Sequence, residues 1–153
     1  MEEPLDRPRI KTMRLDECIA MVESSNNNKA IRFEPVMFTN KPTWVLGTLS
    51  KIAIVHECSR DTALAIACTS YGYYQILGAN IYANGYIKTV FDYVFNKADQ
   101  DIAFAKFIGR EGFNSTDDIS GWTADQFEKF ATFYNGPGNI DGYIDRMEQA
   151  AGS

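Results

Sequence analysis

The chain is expected to fold as a mainly α domain with a small extended or β region after its first helix. Three observations lead there. Apolar residues recur at helical spacing through most of the 153 residues. One short stretch, 30–38, interrupts that rhythm with Ile31, Phe33 and Val36 set around Pro35, which suits a strand or extended segment. The connections are short and rich in Asn, Gly and Pro, and there is neither an internal repeat nor a low-complexity tract.

In order along the chain, residues 1–9 contain Pro4 and Pro8 and are expected to form a loose arm. Residues 11–24 read as a helix with Met13, Cys18, Ile19, Met21 and Val22 on one stripe. Asn26, Asn27 and Asn28 end it, since Asn tolerates turns and left-handed backbone. After the extended stretch, residues 41–43 form a turn, and Thr43 is placed to cap a helix running from Trp44 towards Val55. Ser59 or Asp61 caps the next helix, whose body, 63–69, is small and apolar enough to belong in the middle of the domain. Gly72 ends or bends it, and a further helix covers 73–82. Two amphipathic helices follow over 87–96 and 99–108. Val90, Phe91, Val94 and Phe95 line the first; Ile102, Phe104, Ala105 and Ile108 line the second. Residues 109–121 form a loop. Thr123 and Gln126 make a capping box for a helix over 123–133. Gly136-Pro137-Gly138 turns the chain into a last helix, from Ile140 or Asp141 to Ala150.

Composition narrows the function. With 45% hydrophobic and 13% aromatic residues, a chain of this length builds one real core, so a single domain over 1–153 is expected. A net charge of −5 disfavours nucleic-acid binding and also opposes an anionic polymer, unless a cleft carries a different local charge. No apolar run approaches the roughly 20 residues of a membrane span. Residues 1–10 mix Glu, Asp, Arg and Pro, unlike a signal peptide or anchor. Synthesis and first folding in a cytoplasm are therefore expected, with another agent carrying the chain across any membrane. Cys18, Cys58 and Cys68 are an odd set without CxxC spacing, against a disulfide framework or a zinc site. Cys18 and Cys68 read as buried free thiols. Nothing local supports a Cys–His pair with His56. No cofactor or metal is expected.

Three segments carry the candidate chemistry. Glu23 closes the first helix beside Ile19 and Val22. A carboxyl held against apolar groups has a raised pKa and stays protonated, as a glycosidic general acid requires; the plainer reading is a solvated helix-end Glu. Glu34 lies eleven positions on, where a chain folding back would set it opposite Glu23. Paired carboxylates serve glycoside hydrolysis; a structural pair with Arg32 is the alternative. Gly72-Tyr73-Tyr74-Gln75 offers close backbone approach, ring faces for sugars and an amide, or simply a turn between helices with core tyrosines. Tyr134-Asn135 before Gly136-Pro137-Gly138 positions a substrate amide or the acid itself, or is only a helix stop.

Together these segments resemble a family. Glu23-Ser24 is similar to the Glu-Ser pair of goose-type lysozymes and lytic transglycosylases. Gly72-Tyr73-Tyr74-Gln75-Ile76 is similar to their Gly-Leu-Met-Gln-Ile, and Phe133-Tyr134-Asn135-Gly136 to their Ala-Tyr-Asn-Gly. The phage and prophage N-acetylmuramidases are a closer match. Their Val-Glu-Ser-Ser, Phe-Glu-Arg-His-x-Phe, Ala-Ser-Trp-Gly-x-x-Gln-Ile-Met-Gly and Tyr-Asn-Gly-Pro-Gly segments resemble residues 22–25, 33–38, 69–78 and 134–138. Pro35-Val36 replaces the Arg-His after the second Glu, and Asn26 stands where Gly is frequent.

The resemblance implies a lysozyme-like fold and cleavage of the β-1,4 link between N-acetylmuramic acid and N-acetylglucosamine in bacterial peptidoglycan. Glu23 would be the catalytic acid and Glu34 the second catalytic carboxylate. Ser24, Gly72, Tyr73, Tyr74, Gln75, Tyr134 and Asn135 would form the substrate site. Either a water activated by Glu34 or the substrate's own acetamido or 6-hydroxyl group completes the reaction; the 6-hydroxyl route is that of a lytic transglycosylase. An inactive wall-binding or structural protein of the same fold is the alternative of another class. The implied setting is a phage endolysin or virion-associated lysin, made in the host cytoplasm and acting in the periplasm or cell wall. It would be monomeric unless part of a virion, with neither nucleic-acid binding nor membrane insertion.

Overall fold

The computed structural model describes residues 13–152, so the expected arm over 1–9 lies outside the described residues. Helix α1 (Leu15–Ser24) buries Leu15, Cys18 and Ile19 along one stripe. Its start is clamped by the loop around residues 115–117: Leu15 and Asp16 donate backbone hydrogen bonds to the carbonyls of Asp117 and Ser115. Its end is sharp because Ser25 and Asn26 both adopt positive φ, 53° and 64°, a conformation that no helix can continue.

Strand β1 (Ile31–Phe33) follows. The extended stretch is shorter than expected: helix α2 (Pro35–Asn40) takes its second half, with Pro35 at the first helical position, where its fixed φ and missing N–H cost nothing. The expected helix from Trp44 towards Val55 is two helices, α3 (Thr43–Leu46) and α4 (Leu49–His56). Pro42, rather than Thr43, occupies the cap position of α3. Thr48 Oγ1 donates to the Val45 carbonyl at 2.7 Å in the break, a local bond that competes with the helical ladder.

Helix α5 (Arg60–Ala67) is capped by Ser59, whose hydroxyl accepts from the Thr62 N–H. The largest departure from expectation comes next. Residues 69–77 are an antiparallel hairpin, β2 (Thr69–Tyr71) and β3 (Ile76–Leu77), where a helix end and a helix start were expected. Gly72 has φ +84° and Gln75 φ +52°, so the turn between them cannot be helical. β1 supplies the edge on which β2 pairs. The sheet order is β1-β2-β3, with Ile31, Arg32 and Phe33 opposite Tyr71, Ser70 and Thr69, and Ser70 and Tyr71 opposite Leu77 and Ile76.

The remaining helices are α6 (Gly78–Ala83), α7 (Val90–Val94), α8 (Lys97–Gly109), α9 (Ala124–Asn135) and α10 (Ile140–Gly152). Thr123 and Gln126 form the expected capping box of α9. On α7 and α8 the buried side chains are Tyr93, Val94, Gln100, Ala103, Phe104 and Ile108, while Phe91, Phe95, Ile102 and Ala105 point outwards against expectation. α7 is only five residues long, too short to present the whole stripe to the core.

One core runs through the helices, with Phe104, Phe130, Tyr82, Tyr93 and Tyr143 among its largest fully buried side chains. Cys18 and Cys68 are buried free thiols. His56 staples α4 to α7: Nε2 accepts from the Val90 N–H at 3.1 Å and Nδ1 faces the Ile52 carbonyl at 2.8 Å, so it pairs with no thiol. The whole is a mainly α, lysozyme-like arrangement with a small three-stranded sheet.

Candidate active site

A groove of about 260 Å³ opens where the end of α1 meets the sheet. Glu23, Arg32, Glu34 and Gln75 line it, with Trp44 and Asn80, and with Phe107, Tyr134 and Asn135 from the helical side.

Glu23 reaches it because of helical spacing. It stands four residues after Ile19 and eight after Leu15, on the stripe that α1 buries. Its carboxyl is therefore drawn out of water. Tyr143 of α10 donates a 2.6 Å hydrogen bond to Oε2. Burial raises the Glu23 pKa, and the charge of Glu34 adds slightly to this. The Tyr143 bond and the positive charges of Arg32 and Arg146 oppose it without cancelling it.

Glu34 sits between β1 and α2, with its N–H bonded to the Cys68 carbonyl at 2.8 Å. Its Oε2 accepts from Arg32 Nε at 3.0 Å and from Ser70 Oγ at 3.1 Å. Arg32 and Ser70 are register partners across β1 and β2, so the pairing puts both donors on one side of the sheet. Oε1 has no partner among the described residues.

Gln75 holds its turn together: Nε2 donates to the Ala30 and Gly72 carbonyls, both at 3.0 Å. Asn135 does the same for the Gly136-Pro137-Gly138 turn, donating to the Gly138 carbonyl at 2.6 Å. The amide oxygens of both side chains are left without a partner among the described residues. Tyr134 stacks on Phe130 with centroids 5.3 Å apart and donates to the Tyr74 carbonyl at 2.5 Å. Burial, reinforced by the Glu23 charge, pushes its hydroxyl well above the usual tyrosine range.

The structure does not bring Ser24, Gly72, Tyr73 or Tyr74 to this groove. The Ser24 hydroxyl is consumed by backbone, donating to the carbonyls of Ala20 (2.9 Å) and Tyr73 (2.8 Å). Gly72 makes room for Gln100 rather than for a ligand, since a Cβ there would lie 2.2 Å from Gln100 Oε1. Tyr73 lines a separate depression beside Met13, Arg14 and Lys97. Tyr74 is core, 2% exposed and stacked on Phe104 with centroids 4.2 Å apart. Conversely, Tyr143, Ser70, Trp44 and Asn80 escaped sequence reasoning. Ser70 lay inside a quoted segment, but only strand pairing sets it against Glu34. Nothing local distinguishes Tyr143 from any other aromatic residue of an amphipathic helix.

Comparison with known proteins places the chain in a family. Residues 49–153 match the family described as N-acetylmuramidase. That span includes Gln75, Tyr134, Asn135 and Tyr143; Glu23 and Glu34 precede it. The endolysin of Enterobacteria phage PRD1 is 33% identical over 145 residues, covering 88% of this chain and 91% of the relative. The chain belongs to the N-acetylmuramidase family. It is accordingly a glycoside hydrolase. No solved structure matches it.

Proposed function

We propose that this muramidase cleaves the β-1,4 bond between N-acetylmuramic acid and N-acetylglucosamine in bacterial peptidoglycan, with Glu23 as the general acid. The observation that carries the reading is Glu23 itself: a carboxyl in a sugar-sized groove whose pKa is raised by burial. It is protonated at higher pH than an ordinary Glu and can deliver its proton to the leaving glycosidic oxygen. As the bond between that oxygen and the anomeric carbon breaks, its electron pair stays with the oxygen. The sugar develops oxocarbenium character, and Glu34, whose Oε1 meets no donor among the described residues, takes the proton of the attacking water. The salt bridge from Arg32 holds Glu34 for that role. The unpartnered oxygens of Gln75 and Asn135 accept from acetamido N–H groups and hydroxyls. The half-exposed Trp44 offers a ring face at the groove.

The setting is a phage or prophage lysin, supported by the likeness to the PRD1 endolysin. Among the described residues no helix is long and apolar enough to cross a membrane. Such a lysin is made in the host cytoplasm and acts in the periplasm or cell wall.

Clearing of purified peptidoglycan tests the proposal. Glu23→Gln should lose roughly 10²–10⁴-fold in rate while remaining folded. Equal clearing by wild type and variant overturns Glu23 as the acid, and clearing by neither overturns the proposed cleavage. Product mass tests the role of water. Hydrolysis leaves reducing muramic ends, and a transglycosylase would leave anhydro ends lighter by one water.

A further inference from the structure

We propose that Tyr143 is a positioning residue for Glu23: by occupying Oε2, its hydroxyl leaves Oε1 as the oxygen that carries and delivers the catalytic proton. This rests on the reading of Glu23 as the acid. Tyr143 comes from α10, far from the recognised segments, and is 1% exposed. Its ring is wedged in the core where α10 packs on α1 and α9, with the Arg146 guanidinium over its outer side at 5.2 Å. The hydroxyl therefore has little freedom, and it meets Oε2 at 2.6 Å. A phenol has one proton to donate. Burial and the neighbouring Glu23 charge hold the Tyr143 phenol in its protonated form throughout the range in which Glu23 titrates. Oε2 thus always receives a hydrogen bond, and the site for the acid's own proton is Oε1.

The arrangement matters most during the reaction. Before proton transfer the bond runs from a neutral phenol to a neutral carboxyl. Afterwards Oε1 has given its proton to the leaving oxygen and Glu23 is an anion. The Tyr143 bond is then charge-assisted and stronger, so it favours the transition state over the ground state. The groups that act on Glu23 are Arg32 from β1, Glu34 ahead of α2, and Arg146 and Tyr143 from α10, with the Tyr134 phenol of α9 also close enough to feel its charge. Tyr143 alone makes a hydrogen bond to the carboxyl among the described residues.

Tyr143→Phe removes the hydroxyl and keeps the ring. The expected result is a basic limb of the kcat–pH profile moved up by about one pH unit, kcat at the optimum down roughly tenfold, and KM within about twofold of wild type. A Glu23 side-chain titration followed by carbon-13 NMR, with Glu23→Gln to assign the signal, should move in the same direction. Installing 3,5-difluorotyrosine in place of Tyr143 keeps the hydroxyl as a stronger donor; it should move limb and titration down, and it serves equally if the Phe variant does not fold. Unchanged limb and titration in these variants overturn the proposal while Glu23→Gln remains inactive. If Glu23→Gln stays active, the acid assignment fails instead, and the NMR titration still reports whether Tyr143 controls the carboxyl.

Discussion

At the scale of single residues, the molecule keeps a carboxyl where a carboxylate is disfavoured. Glu23 shares the stripe of α1 that buries Leu15, Cys18 and Ile19, and a substitution by an apolar residue would suit that stripe better. The consequence for stability has a definite sign. The folded-state pKa of Glu23 lies above its unfolded value, so the native chain binds more protons than the unfolded chain across that interval. Its stability contribution is fully present below the unfolded pKa, near 4.3 for Glu, and is lost as pH rises through the folded pKa. Glu23→Gln keeps the shape and an acceptor for Tyr143 but has no charge to bury. It should therefore melt at a higher temperature than wild type at neutral pH, with the two converging below about pH 4. Thermal unfolding across a pH series checks this, and a variant less stable than wild type at pH 7 would refute the account.

At the scale of elements, the hairpin over 69–77 organises the groove, and Gln100 organises the hairpin. Gln100 is fully buried on α8. Its Oε1 accepts from the Tyr73 N–H at 2.8 Å, and its Nε2 donates to the carbonyls of Asn28 and Tyr93 at 3.2 and 3.0 Å. One side chain thereby ties the turn after α1 to the turn between β2 and β3, and so sets Glu23 relative to Gln75. Gly72→Ala should cost at least the roughly 1–3 kcal/mol of a strained positive φ, with a further penalty from displacing Gln100 Oε1. Denaturant unfolding measures it. Activity should fall alongside stability because the turn carries Gln75. This element also shows where the sequence was hard to read. Ser-Tyr-Gly-Tyr-Tyr follows an apolar helix and has no alternation long enough to signal a strand. Two- and three-residue strands are stabilised by pairing with a distant edge, a non-local fact. Helices α1, α9 and α10 were legible because each has its own stripe or cap. The groove residues were legible where a motif carried them, as with Glu23, Glu34, Gln75 and Asn135. Tyr143 was not, since its role depends on where α10 docks. Tyr73 and Tyr74 lie outside the groove, Tyr74 in the core and Tyr73 on a separate depression, because a motif does not tell which way a turn presents its rings.

At the scale of the whole molecule, charge and substrate pull in opposite directions. The chain carries 20 acidic against 15 basic side chains, for a net charge of −5, while bacterial walls are anionic polymers. Long-range forces therefore oppose approach, so on the proposed reading recognition falls to short-range contacts in the groove, where Arg32 stands beside Glu34. These two ranges respond differently to salt. Raising ionic strength from about 0.01 M to about 0.15 M shortens the Debye length from roughly 30 Å to roughly 8 Å. That screens the overall repulsion strongly, and it screens contacts made within the groove much less. KM for intact peptidoglycan should accordingly fall over this interval, by roughly two- to fivefold for an excess of this size, with kcat little changed. Neutral chitooligosaccharides, if turned over, should show no such dependence. A KM that instead rises steadily with salt from the lowest ionic strength would mean that a basic surface, rather than the groove, recruits the wall, and would place binding on a face of the molecule other than the one holding Glu23.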